Sequence, residues 1–359
     1  MSAAKTQFPG PDEYIKVTRS ARSVKASAVG GVVVLGLLIA MPYIVYQDFT
    51  NILITFFAYL IMASMWNLLA GFGGLVSIGQ QAYVGIGAYT TLVFANMGMN
   101  IFLALLLSLV TCAVFAIPTS LLAFRLRGDY FAVGTWVIAE AYRLIVVKIP
   151  GFGGPSGGPL VGDFLQIDPT LRGAITYWTA LAVGALTVAG CYLLLRGHIG
   201  LALTAVRDDE VTARAAGVDV TLAKRVIYLI SAAGCGAAGG LLVMTQLGVQ
   251  PDAIFSVQWS AYMIFIVIIG GIGYLEGPIV GTIIFIVLQE TLADYGTWYL
   301  ILLGLIAMAG AIWLPRGLWG TLSDKTGFRL FPVGYHVHNR ALLDLVTTKP
   351  SRVAKKVGK

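Results

Sequence analysis

The chain alternates long apolar runs with short polar or glycine-rich breaks. Ten runs can be drawn, at about 28–46, 50–70, 75–95, 101–124, 130–147, 174–195, 226–247, 257–273, 278–292 and 298–314. Their lengths cluster near the roughly 20 residues that carry a helix across bilayer hydrocarbon. Each run therefore predicts a helix. The runs near 75 and 278 are interrupted by glycine and are expected either to span or to be re-entrant.

Composition supports the same class. Apolar residues make up 58% of the 359 positions and charged residues 11%, about half the charged share of an average soluble domain. So little polar surface cannot cover a water-soluble fold. The expectation is an all-α polytopic membrane protein with about ten transmembrane or re-entrant helices. Residues 1–27 form a basic tail, 28–320 the membrane domain and 321–359 a second basic tail. No small-residue cleavage site follows the run from Ala28 to Val45, so it is read as an uncleaved anchor.

Lysine and arginine orient the helices, because cytoplasmic loops retain them. With the N-terminus inside and ten spans, only Lys148 and Arg172 of the 24 Lys/Arg fall outside, and Arg143 lies within a run. Both termini are thus expected in the cytoplasm. Nine basic residues from Arg316 onward face only Asp324 and Asp344, a surplus equal to the whole chain's +7. A basic tail of this kind suits anionic inner-leaflet lipid better than nucleic acid, and no nucleic-acid partner is expected.

Two loops stand out. "PGFGGPSGGP", 150–159, belongs to the longest outside loop and reads either as a flexible linker or as a shaped external gate. The inside loop 196–225 carries Arg207, then Asp208, Asp209 and Glu210 at a helix start, where free amides and the helix dipole favour acid. Val211, Ala215 and Val218 are expected to share one face, Glu210 to pair with Arg214 four residues on, and Gly217 to stop the helix. The result is a short amphipathic helix outside the bilayer. Ala213, Ala215 and Ala216 would allow another protein to approach closely.

Polar residues inside the runs are the remaining signal. "GFGGLVSIGQQAYVGIGAY", 71–89, can break one helix at Gly71, Gly73 and Gly74 and begin another with Ser77, Gln80, Gln81 and Tyr83. Irregular backbone at membrane depth is tolerated where protein or a water-filled cavity surrounds it, so this segment faces protein or a pathway. Glu140 and Arg143 lie one helical turn apart and can neutralise each other, either as a structural pair or along a substrate path. "GGIGYLEGPIVG", 270–281, repeats the glycine style with Gly270, Gly271, Gly273, Gly277 and Pro278. This second block suggests a hinge and hints at an internal repeat.

Phosphate-loop, H-E-x-x-H and C-x-x-C motifs are absent from the sequence. Cys112, Cys191 and Cys235 lie within apolar runs and read as packing residues, while His198, His336 and His338 fall in predicted loops or tail. No catalytic, cofactor-binding or metal site is expected in the chain.

Four blocks together resemble the permease subunits of bacterial branched-chain amino acid ABC importers, the LIV family, and the M-type subunit in particular. They are "NLLAGFGGLVSIGQQAYVGIGAY" at 67–89, "LRGDYFAVGTWVIAEAYRLI" at 126–145, "GLALTAVRDDEVTARAAGVDV" at 200–220 and "GGIGYLEGPIVGTIIF" at 270–285. The resemblance implies a multi-pass protein of the bacterial inner membrane. Its partners would be a second, H-type permease, two cytoplasmic ATPases that bind ATP and Mg, and a periplasmic binding protein delivering the amino acid. It also implies that residues 207–219 form the helix that docks on the ATPase. Related permeases carry urea, short-chain amides or other organic acids. An ion-coupled secondary transporter is the rival reading, since broken helices and intramembrane ions suit it too.

Overall fold

The computed structural model describes residues 16–18, 23–126, 128–149, 152–292, 298–314, 316–326, 331 and 336–338. Every one of the ten apolar runs forms a helix. The first half holds α1 (Ser23–Ile44), α2 (Gln47–Asn67), α3 (Gln81–Asn96), α4 (Ile101–Ala123) and α5 (Asp129–Lys148). A short α6 (Asp163–Gln166) leads to α7 (Pro169–Arg196), α8 (His198–Asp208), α9 (Glu210–Ala215) and α10 (Val220–Gln246). The last part contains α11 (Pro251–Ile254), α12 (Val257–Gly270), α13 (Gly277–Leu292), α14 (Trp298–Trp313) and α15 (Gly317–Thr326).

Among the described residues, 7 stretches rather than ten have the length and apolarity to cross a membrane. The two runs left open, near 75 and 278, become α3 and α13. Each has 16 residues, about 24 Å of helix against roughly 30 Å of hydrocarbon. Both follow a glycine turn. Residues 1–15 and 339–359, and with them most of both basic tails, lie outside the described residues. Lys16–Thr18 pairs antiparallel with His336–His338, which brings the two ends of the described chain together.

The core is a spine of α2 and α10. α10 packs on α3, α4, α2 and α7, and small residues set how closely. A Cβ on Gly87 of α3 would lie 2.2 Å from the Gly236 carbonyl oxygen of α10, so only hydrogen fits between these backbones. α12 and α13 form a hairpin against α2, where Tyr59, Tyr262 and Phe285 meet at centroid separations of 4.8 to 5.8 Å. α5 sits at the edge on α3 and α4. It buries Phe131, Thr135, Ala139 and Val146 and leaves most of its remaining length exposed.

The long loop after α5 is strapped down over its described part. Gly158–Pro159 pairs with Gly248–Val249, the Asn96 amide donates to the Pro159 carbonyl at 3.1 Å and accepts from the Val161 N–H at 2.7 Å, and Phe152 stacks on Tyr89. Of the two readings, linker or shaped segment, these bonds fit the second. Pro150 and Gly151 lie outside the described residues.

Candidate coupling and translocation site

The helix α2 ends as its glycines require. Its last turn widens to a π-turn over Leu68–Phe72, Gly74 takes φ +66°, and the chain runs without regular helix until Gln81. Most of this irregular backbone is enclosed by protein, with Gly74 and Val76 exposed. Ser77, Gln80, Gln81 and Tyr83 are each at most 1% exposed. The Ser77 hydroxyl accepts from the Gly79 N–H at 3.2 Å, and Trp66 donates to the Ser77 carbonyl at 2.8 Å. The Gln80 side-chain Oε1 accepts from the Ser231 hydroxyl at 3.4 Å. The Ser260 hydroxyl faces both the Gln81 side-chain Oε1 and the Ile78 backbone carbonyl. The Tyr83 hydroxyl donates to Tyr228 at 3.1 Å. Gln80 Nε2 is buried without a partner among the described residues. In this conformation the segment faces protein, one of the two surroundings its polarity allowed.

The ions of α5 lie elsewhere. Arg143 Nε donates to Glu140 at 2.9 Å, as the one-turn spacing predicts, and Nη1 reaches Asp252 of α11. Glu140 is 46%, Arg143 25% and Asp252 77% exposed. Asp252 was not singled out in the sequence. Its only signal there is a lone acid after Pro251 in a helix start. The buried amides and these ions therefore do not converge on one site, although Thr135 of α5 does touch the break. Its hydroxyl accepts from the Ile78 N–H at 3.3 Å.

The second glycine block makes the turn between α12 and α13. Gly271 and Gly273 take φ +130° and +77°, and a Cβ on Gly277 would strike the Gly271 carbonyl oxygen at 2.2 Å. Gly270 and Pro278 are buried at the two helix ends. Asn67, which sequence reasoning passed over, holds this turn against the first. Its Nδ2 donates to the Tyr274 carbonyl at 2.8 Å and its Oδ1 accepts from the Gly273 N–H at 2.9 Å. The partners are over 200 positions away, so only folding brings them together.

The loop 196–225 is more built than expected. A helix, α8, precedes the predicted one, because Leu203 and Val206 bury one side of it. The Asp209 carboxylate caps α9, accepting from the Val211 N–H at 2.8 Å, the Thr212 N–H at 3.3 Å and the Thr212 hydroxyl at 2.9 Å. The Thr212 hydroxyl first, then the two amides, hold this carboxyl below the usual carboxylate range. Gly217, at φ +86°, ends the helix.

Three expectations about this loop are corrected. Glu210 pairs with Lys224 of α10 instead of Arg214, because α9 folds back beside the start of α10. Val218 does not share a face with Val211 and Ala215, because it lies beyond Gly217 and turns inward. Val218 joins Val206, Ala213 and Val220 in a small core, while Val211 is 77% exposed and Arg214 and Ala215 are exposed beside it. Arg207 and Asp208, expected in the short docking helix, instead close α8, and Arg207 turns back toward the break after α2, where Nη1 donates to the Gly71 carbonyl at 3.1 Å while it grips the exposed Asp208 beside it.

The family described as "Branched-chain amino acid transport system / permease component" matches residues 49–310. LivM of Escherichia coli, a high-affinity branched-chain amino acid transport system permease protein, is 28% identical over 80% of this chain and 73% of its own. The fructose import permease protein FruG of Bifidobacterium longum is 23% identical over 75% and 82%. A probable branched-chain amino acid transport permease protein, LivH of Methanocaldococcus jannaschii, is 27% identical over 68% and 82%. No solved structure matches the chain. The family match runs from α2 into α14 and takes in the glycine-broken helices and the α8–α9 loop alike: the chain belongs to the permease components of branched-chain amino acid transport systems.

Proposed function

We propose that the chain is a permease subunit of an ATP-driven ABC importer that moves branched-chain or related amino acids across the bacterial inner membrane. In this reading both termini are cytoplasmic, and α3 and α13 are the short members of a bundle of ten spans, which keeps the α8–α9 loop on the cytoplasmic side. Its partners are a second, H-type permease, two cytoplasmic ATPases that hold ATP and Mg, and a periplasmic binding protein. The chain itself supplies no ATP site.

One observation carries the reading. α9 is a fixed, solvent-facing knob, capped by Asp209, stopped at Gly217, tied to α10 through Glu210 and Lys224, and exposing Val211, Arg214 and Ala215. Exposed apolar and cationic side chains on a rigid element suit docking in a groove of another protein. Closure of the ATPase pair then displaces α8 and α9 and moves the bundle between packings. Glu140, Arg143 and Asp252 are the polar groups that another subunit or the substrate path would cover, since exposed ions at membrane depth are costly in lipid. Substrate chemistry is the least constrained part, because FruG is named for fructose import.

Purifying the native complex and identifying its chains by mass tests the proposal. An ATPase, a second permease and a binding protein should co-elute. Gly217→Pro, which cannot adopt φ +86°, and Glu210→Arg, which sets a cation against Lys224, should leave the chain inserted and loosen the ATPase. A complex with no ATPase, or one unaffected by both substitutions, would contradict it.

A further inference from the structure

We propose that Arg207 is the positioning residue that carries displacement of the α8–α9 loop into both glycine turns of the membrane domain. The proposal rests on reading that loop as the ATPase-facing element.

Arg207 lies in the last turn of α8 and uses its guanidinium in two directions. Nη1 donates to the Gly71 carbonyl at 3.1 Å, while Nε and Nη2 reach the Asp208 carboxylate at 3.2 and 3.1 Å. Its stem crosses Gly74, where an added Cβ would lie 3.6 Å from Arg207 Cγ. Nη1 also borders the second turn, because a Cβ on Gly273 would lie 3.5 Å from it. One side chain of the loop therefore abuts both breaks.

The two breaks act as one joint. A Cβ on Gly71 would stand 2.5 Å from the Gly273 nitrogen, so the turns are in backbone contact, and Asn67 bonds across them to Gly273 and Tyr274. The Gly71 carbonyl sits in a π-turn and Gly273 at positive φ. At such positions a modest dihedral change redirects the helices on either side. Pulling α8 outward draws on the Gly71 carbonyl, and through Asn67 on the start of the α12–α13 turn. The planar fork meets the carbonyl with one nitrogen and the carboxylate with the other two, an arrangement one ammonium nitrogen does not reproduce. Lysine, a point charge, keeps one contact or the other. Arg207 is 39% exposed, so its bonds add little to stability and its replacement leaves the fold in place.

The test uses the whole complex in proteoliposomes, with Arg207→Met and Arg207→Lys. Both variants should assemble and hydrolyse ATP near the wild-type rate. Uptake per ATP should fall about tenfold for Met, the effect of one lost charge-assisted hydrogen bond, and about threefold for Lys. Amide exchange over 68–75 and 271–276 should respond to ATP in the wild type and not in Arg207→Met. Wild-type uptake per ATP in both variants, or an intact exchange response, overturns the proposal. Should Arg207→Met fail to assemble, Arg207→Lys decides alone by the same two readouts. A wild-type complex without ATP-dependent uptake would instead overturn the importer reading beneath it.

Discussion

The start of α3 and the second half of α5 both place polar side chains within apolar runs, and they solve the problem in opposite ways. Gln80 and Gln81 are enclosed and bonded by serines of α10 and α12. Glu140 and Arg143 stay part-exposed and turn to each other and to Asp252. The first region is largely enclosed within this chain, with Gln80 Nε2 left without a partner among the described residues. The second stays open at the edge of the described fold, which is where the proposed function places a partner or the substrate path. Polarity within an apolar run thus marks two different roles, and partner geometry separates them.

That contrast predicts that changes at the α3 break act on stability and changes on α5 act on transport. The largest effect belongs to Gly87→Val. Its Cβ has no room beside the Gly236 carbonyl, so the purified complex should lose about 3 kcal/mol in a thermal or denaturant scan. Gln81→Leu removes a buried partner of Ser260 and should cost about 1–2 kcal/mol. Glu140→Leu should cost no more than about 0.5 kcal/mol, as for other part-exposed ion pairs, yet lower uptake severalfold at equal expression. If Glu140→Leu destabilised as much as Gln81→Leu while sparing uptake, the division between the regions would be wrong.

The smallest effect lies outside the membrane. Asp209→Ala removes the cap of α9 and should raise amide exchange over 210–216 about fivefold, leaving global stability unchanged. Acid should mimic it. Because the folded carboxyl titrates below its usual range, the cap is intact at neutral pH. It is lost only as the pH falls through that lowered value, never on the alkaline side.

Much of this arrangement could be read along the chain. Each of the ten apolar runs became a helix, Gly71 to Gly74 marked the end of α2, and Gly217 marked the end of α9. α8 was missed because its single buried side, Leu203 and Val206, is too narrow to stand out in a polar loop. The partner of Glu210 was misjudged because spacing along one helix favours Arg214, whereas Lys224 arrives from the next. Asn67, Asp252 and the inward turn of Arg207 depend on contacts more than a hundred positions apart. No local pattern encodes those.

The central claim is that ATP hydrolysed by a partner, and no ion gradient, drives movement through this chain. Uptake of a labelled branched-chain amino acid into proteoliposomes holding the purified complex and its binding protein tests it directly, with proton and sodium gradients collapsed by ionophores. The account predicts uptake that persists with ATP and stops when ATP is withdrawn. Uptake that vanishes with the gradients while ATP remains would contradict it.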